Sequence, residues 1–152
     1  MLDVIKIEPE MTYELRHSIL RPHQPMEACM YESDYQKGSF HIGAFFEGEL
    51  ISIASFCAMV NQDFSSAKQY RLRAMATVEE FRKLGAGREV VNYAESILKE
   101  NETELLWCMG RTNVQGYYER LGFKPHGAVF DYPPIGPHIV MVKKLFKLKR
   151  GE

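Results

Sequence analysis

The chain has 152 residues, a formal net charge of -1, 45% hydrophobic and 26% charged residues, and three cysteines. That composition is that of an ordinary globular chain, long enough for one well-cored domain spanning 1–152, and it excludes low-complexity, collagenous and disulfide-dense classes. A charge this close to zero also argues against broad electrostatic attraction to nucleic acid or to a membrane surface.

Cys29, Cys57 and Cys108 are far apart and form no Cys-x-x-Cys, and the histidines show no His-x-x-x-His spacing. Neither a disulfide framework nor a metal is expected. Met1 to Lys6 lacks the basic and apolar regions of a signal peptide. The longest apolar stretch, Leu50 to Val60, contains serines and is too short to span a bilayer. These features lead to the expectation of a cytoplasmic protein with reduced thiols.

In chain order, Leu2 to Ile7 reads as a strand. Thr12 is positioned to cap a helix through Leu20 with Leu15 and Ile19 on one side, and Arg21-Pro22 breaks it. Pro22 to Lys37 is of mixed polarity with two prolines and predicts an irregular segment or a short helical turn. Ser39 to Phe46 and Glu49 to Val60 are strand-like runs joined by a hairpin turn at Glu47-Gly48. A polar loop, Asn61 to Ala67, leads to a strand from Gln69 to Val78, in which Tyr70, Leu72, Ala74 and Ala76 alternate with Arg71, Arg73, Met75 and Thr77. A helix to about Lys99 carries Val90, Val91, Ala94, Ile97 and Leu98 on one face. Glu104 to Met109 is a short strand. Thr112 or Asn113 caps a helix to Leu121, with Gly122 as its stop. Phe123 to Phe130 and His138 to Phe146 are the last strands, separated by the loop Asp131 to Pro137. Strands and helices mixed in this order predict an α+β fold on a mixed, mostly antiparallel sheet of about seven strands flanked by helices.

The stretch Phe81 to Val91 stands out. Gly85 and Gly87 remove side chains where a backbone must come close to something, and a helix follows directly. A helix start exposes free N–H groups and the positive end of its dipole, which suits a phosphate. The dinucleotide fingerprint would need a glycine at Val90, and the P-loop would need Gly-Lys-Ser/Thr; neither is present. Arg82-x-x-Gly85-x-Gly87 instead resembles the Arg/Gln-x-x-Gly-x-Gly/Ala signature of the GCN5-related N-acetyltransferase (GNAT) superfamily, whose loop amides hold the pyrophosphate of acetyl-coenzyme A. Downstream, Tyr117-Tyr118-Glu119-Arg120-Leu121-Gly122-Phe123 resembles that superfamily's Tyr-x-x-x-Gly-Phe segment. The element order above is also that of its fold.

Further stretches are similar to the glyphosate N-acetyltransferases and their close relatives: Glu14 to Pro22, Gln69 to Thr77, Leu106-Trp107-Cys108 and Pro133 to His138. The likeness runs from Val4 to about Lys144. It implies acetylation of the amino group of a small anionic amine, with acetyl-coenzyme A as cosubstrate and no metal. Carried over by matching motif, His138 would be the general base and Tyr118 the acid beside the thiol sulfur. Arg21, Arg73 and Arg111 would clamp the substrate's acid groups, and Tyr31 would wall its pocket with Met30. Met75, Ala76 and Thr77 would offer backbone groups to the pantetheine arm. Arg82, Lys83, Gly85, Ala86, Gly87 and Arg88 would form the phosphate loop. Many members carry Asn where this chain has Arg111, and a planar guanidinium at that position favours a carboxylate or phosphonate.

The chemistry fits these residues. An attacking amine must shed a proton, and imidazole, with a pKa near ~6.5, is mostly neutral at neutral pH. Glu79 and Glu80, near the strand that precedes the glycine turn, are rival bases; as a solvated acid pair in a first turn they rank behind His138. Cys108 would be the covalent nucleophile, but it sits in an apolar strand without an adjacent base and reads as core. Two other functions stay open: a non-catalytic acyl-coenzyme A-binding regulatory domain on the same fold, and an acetyltransferase of peptide N-termini or lysines. The expected state is a monomer or a weak homodimer with no nucleic-acid or membrane partner. Lys143 to Arg150 reads as a last strand with a frayed basic end.

Overall fold

A computed structural model describes residues 1–145. The basic stretch after Leu145, and with it the end of the expected last strand, lies outside the described residues. The chain divides into a first unit of Met1–Ala58 with Leu72–Ile97, and a second of Met59–Arg71 with the chain from Leu98 onward. The strands form one sheet in the order β1-β2-β3-β4-β5-β7-β6, the mostly antiparallel seven-stranded α+β architecture expected. Among the described residues no helix is long and apolar enough to cross a membrane.

In the first unit, β1 (Leu2–Ile7), β2 (Phe40–Phe46) and β3 (Glu49–Ala58) pair antiparallel in sequence. The β2–β3 connection is the expected hairpin. Glu47 and Gly48 take φ of 50° and 82°, the two-residue turn whose twist matches its strands. Helical structure begins earlier than the sequence suggests. It is assembled from a 3-10 turn (Pro9–Thr12), one α turn α1 (Tyr13–Leu15) and a π turn (Arg16–Leu20). Pro9 fits the first position because its fixed φ is helical and its missing N–H has no partner to lose there. Thr12 therefore sits inside the run, and its hydroxyl donates to the Pro9 carbonyl at 2.6 Å instead of capping. Arg21 leaves helical geometry (φ -136°, ψ 51°), as a residue before proline must. Two further 3-10 turns, Met26–Cys29 and Glu32–Tyr35, shape the irregular segment. Leu15, Ile19, Leu20, Phe45 and Leu50 pack on a buried centre of Ile7, Ile53 and Ala76.

Strand β4 (Gln69–Thr77) departs from the expected alternation. Ala74 takes a left-handed φ of 53°, and burial falls on Gln69, Leu72 and Ala76 instead of every second residue. Arg73 and Met75 are thus not neighbours on one regular strand face. A 3-10 turn (Glu79–Leu84) and Gly85 lead into α2 (Ala86–Glu100), which buries Val90, Val91, Ala94 and Leu98.

In the second unit, β4 pairs in parallel with β5 (Leu105–Arg111) over Gln69–Arg71 only. β7 (Gly136–Lys144) lies antiparallel between β5 and β6 (Lys124–Tyr132). Gln69 organises the loop before it: its amide donates to the Ser66 carbonyl at 2.8 Å and accepts from the Asn61 N–H at 2.9 Å. A 3-10 turn (Thr112–Val114) precedes α3 (Gln115–Arg120). Neither Thr112 nor Asn113 caps it, since Arg111 occupies the cap position of that turn and makes no side-chain cap bond. Gly122 closes the helix at φ 98°. The loop expected over Asp131 to Pro137 is shorter, because Tyr132 already pairs with Gly136 and the Ile135 N–H donates to the Tyr132 carbonyl at 2.8 Å.

Candidate active site

The second unit brings three of the expected residues together. His138 on β7 lies in register opposite Arg111 on β5 and opposite Phe130 on β6. Cross-strand neighbours of this kind are close enough for their side chains to interact. His138 is only 5% exposed, and its ring lies 4.9 Å from the Tyr132 ring and 6.1 Å from that of Phe130. Its Nδ1 stands 2.8 Å from the Gly136 carbonyl. A carbonyl only accepts, so Nδ1 carries the proton and the lone pair of the neutral ring sits on Nε2.

Tyr118 on α3 is 9% exposed and packs edge-on against Tyr117 and Phe123, at 5.9 and 5.7 Å between ring centres. Gly110 makes room for it: a Cβ there would stand 3.1 Å from two of its ring carbons. Burial holds the phenol well above its ordinary pKa, assisted by Cys108 and Tyr117 and opposed by the Arg111 guanidinium. The hydroxyl therefore stays protonated at neutral pH and can only be a proton donor in the resting enzyme. The Cys108 thiol is pushed up to about 12 by burial, against the pull of Arg71, so it is protonated and inert as a nucleophile.

The first unit gathers Arg21, Arg73 and Tyr31. Tyr31 stands between guanidinium groups: Arg73 at 4.3 Å and Arg21 at 5.5 Å from the ring centre, with Arg16 at 4.2 Å. The Arg21 Nε donates to the Tyr31 hydroxyl at 3.1 Å, and its Nη1 to Gln24 at 3.3 Å. Arg73 donates to the Ser33 hydroxyl at 3.1 Å. Among the described residues, Arg16 alone of these three guanidinium groups is paired with a carboxylate, that of Asp34. Arg21 and Arg73 are held by neutral groups, which leaves two formal positive charges on this cluster for an anion to answer. Ser33, Asp34, His41, Ser55 and Arg73 line a shallow recess beside it. Met30, expected beside Tyr31, is 49% exposed.

The glycine turn also lies in the first unit. Gly85 has φ 74°, and nothing stands within 4 Å of where its Cβ would be. Its carbonyl accepts the Glu89 N–H at 3.1 Å, the first intrahelical bond of α2, so the N–H groups of Ala86 and Gly87 precede that ladder and have no partner within the helix. Arg82, Lys83 and Arg88 are exposed around this start, and Arg82 Nε is tied to the Thr77 carbonyl at 3.3 Å. Met75, Ala76 and Thr77 follow the bulge at Ala74. Glu79 and Glu80 are both exposed in the first turn after β4, as a solvated acid pair should be.

Sequence reading missed Arg16, Asp34, His41 and Ser55. Arg16 is fully buried, and its partners are distant in sequence. The one available signal was an arginine beside the apolar positions Leu15 and Ile19, where a helix facing the core has no place for an unpaired charge.

Strand order and glycine-turned helix start together are those of the GNAT fold, an acyl-transferase architecture. The comparisons agree. The model of the acetyltransferase (GNAT) family matches residues 7–123. The uncharacterized N-acetyltransferase YitI of Bacillus subtilis (strain 168) is 50% identical over 145 residues, which cover 95% of this chain and 97% of that protein. Among solved structures, an aminoglycoside 6'-N-acetyltransferase complexed with coenzyme A superposes with a TM-score of 0.77 at 13% identity, covering 97% of this chain and 99% of that one. The ribosomal-protein-S18-alanine N-acetyltransferase of Escherichia coli superposes with 0.76 at 13% identity, covering 100% and 99%. The chain belongs to the acetyltransferase (GNAT) family and is an N-acetyltransferase.

Proposed function

We propose that this enzyme acetylates the amino group of a small anionic amine, an amino-acid-like molecule with a second carboxylate or a phosphonate, by direct attack with His138 as general base. Acetyl-coenzyme A is the cosubstrate and supplies the acetyl group as a thioester. The start of α2 fits its pyrophosphate: Gly85 turns without a side chain, free N–H groups follow, and Arg82, Lys83 and Arg88 surround them. The backbone of Met75, Ala76 and Thr77 would hold the pantetheine arm.

His138 Nε2 takes the amine proton as the new N–C bond forms, while Nδ1 stays fixed by the Gly136 carbonyl. Tyr118, kept protonated by burial, gives its hydroxyl proton to the sulfur as the C–S bond breaks. Arg111, opposite His138 in register, would answer one acid group of the substrate. Arg21 and Arg73, gathered on Tyr31 in the first unit, are the candidates for the other. The observation that carries this reading is the Nδ1–Gly136 bond. It leaves a buried, oriented imidazole whose Nε2 lone pair is not taken by that bond.

The test is thiol release from acetyl-coenzyme A over a panel in which each anionic amine is paired with its neutral amide, and in which peptides compete. Turnover confined to anionic members, and reduced about 10²–10⁴-fold by His138→Ala in a folded protein, is the expected result. Turnover within a few-fold of the parent in His138→Ala removes the base. Peptides outcompeting the small amines would assign the enzyme to protein substrates.

A further inference from the structure

We infer that Arg16 is the positioning residue of the anion-binding cluster: paired with Asp34, it fixes Tyr31 and, through that ring and Ser33, the directions of Arg21 and Arg73. The inference rests on the proposed role of those two arginines.

Arg16 is completely buried and makes four hydrogen bonds. Nη1 donates to the Cys29 carbonyl at 2.8 Å and to Asp34 Oδ2 at 2.7 Å. Nη2 donates to Asp34 Oδ1 at 2.9 Å and to Ser55 Oγ at 2.7 Å. One guanidinium thus fastens the 3-10 turns of the irregular segment to β3. Asp34 in turn accepts the Tyr31 N–H at 3.3 Å, and the Arg16 plane lies 4.2 Å from the Tyr31 ring centre. Arg73 is 4.3 Å from the same ring centre, and the Tyr31 hydroxyl accepts from Arg21. Both candidate clamp arginines therefore take their bearings from a segment that Arg16 anchors through charge.

The network closes through His41. Ser55 Oγ accepts from Arg16 and donates to His41 Nδ1 at 2.7 Å, and His41 Nε2 donates to the Asp34 carbonyl at 3.3 Å. Burial lowers the His41 pKa, which keeps the ring in the neutral form this arrangement requires. A buried ion pair is a poor way to gain stability, because desolvation offsets most of its attraction and well-packed apolar residues often serve as well. Its two-pronged geometry, which an apolar pair lacks, is what orients the segment.

The test is the double variant Arg16→Met/Asp34→Leu, which removes both charges together. Two readouts are taken. The first is the KM for the anionic amine against kcat and the KM for acetyl-coenzyme A. The second needs no substrate: the ¹⁵N–¹H cross-peak of the Arg21 Nε–H, identified by its loss in Arg21→Lys, reports the bond to Tyr31. The expected result is a cooperative melt, a rise in amine KM of about tenfold (~1.4 kcal/mol) with kcat and acetyl-coenzyme A KM within about threefold, and loss of solvent protection at Arg21 Nε–H. A folded double variant with unchanged cross-peak and unchanged KM overturns the inference. A parent with no preference for anionic amines removes the functional reading instead, and the cross-peak still decides positioning. If the double variant does not fold, Ser55→Ala, which deletes one of the four bonds, decides by the same cross-peak: lost protection supports the inference and full protection overturns it.

Discussion

Replacing Gly110 by alanine moves the Tyr118 ring without changing its chemistry. Gly110 lies on β5, and a Cβ there would stand 3.1 Å from both Cδ2 and Cε2 of Tyr118 and 3.5 Å from Met141 Cγ. Carbon atoms pack best at ~3.5–4.0 Å, so the ring must retreat by roughly half an ångström. Its edge contacts to Tyr117 and Phe123 leave little room to do so. Overpacking of this kind costs ~1–3 kcal/mol. A misplacement of ~1 Å at a reacting group costs ~10²-fold, so about half that displacement predicts a kcat lower by ~10-fold. Tyr118→Phe is the companion variant: it keeps the ring and removes the hydroxyl. Because a thiolate is already a fairly good leaving group, its kcat should fall less than that of His138→Ala. Thiol release at saturating acetyl-coenzyme A gives kcat, and thermal melts give stability. If Gly110→Ala loses the expected stability while both variants keep the parent kcat, Tyr118 is a core aromatic and not a proton donor.

Gly85→Ala meets no atom but must hold φ 74°, so it costs ~1–2 kcal/mol of strain and should raise the KM for acetyl-coenzyme A by roughly fivefold with kcat preserved. An unchanged KM would mean that the turn does not seat the cofactor. Glu79→Gln and Glu80→Gln, both in the exposed turn after β4, should leave kcat within about twofold and the pH–rate profile in place; loss of the profile's acidic limb in either would move the base from His138 to that glutamate.

The parts of this enzyme that are legible in sequence are those whose cause is local. Glu47-Gly48 announces its hairpin because few residues tolerate two positive φ angles in succession. The small residues from Gly85 to Gly87 announce a turn at a helix start, and α2 follows from one apolar face. Where partners come from afar, the sequence is silent. Nothing near Arg16 points to Asp34 or Ser55, because the pairing exists only once the irregular segment folds back on β3. Ala74 gives no sign of its left-handed backbone, since a residue with a Cβ disfavours that conformation and sequence alone would place it in a regular strand. The pairing of Arg111 with His138 needs β7 to insert between β5 and β6, which element order alone does not reveal. His138 could be picked out by resemblance, but the tautomer that leaves Nε2 without a proton comes from the Gly136 carbonyl.

Cys108 separates the direct mechanism from a two-step one. Its thiol, ordinarily near 9.0, is pushed up to about 12 by burial, so the folded chain keeps a proton that the unfolded chain loses. The stability tied to that proton is complete below about pH 9 and is lost as pH rises toward 12, at up to ~1.4 kcal/mol per pH unit. Tyr118 acts in the same direction, but only above its ordinary value of 10.0. Burial raises Cys29 as well, and it acts in the same window in both proteins; the difference isolates Cys108, and Cys108→Ala should lose less stability between pH 9 and 10 than the parent, by ~1 kcal/mol in denaturant titrations. The same protonated thiol cannot attack a thioester at neutral pH. Cys108→Ala should keep kcat within about twofold, and the parent incubated with acetyl-coenzyme A alone should gain no acetyl mass. An acetylated parent that reverts when amine is added, with no such species in Cys108→Ala, would refute direct attack. His138 would then have to deprotonate a thiol before it ever meets an amine, and the steep alkaline destabilisation would disappear with the same evidence, because a thiol that reacts at neutral pH is not one held near 12.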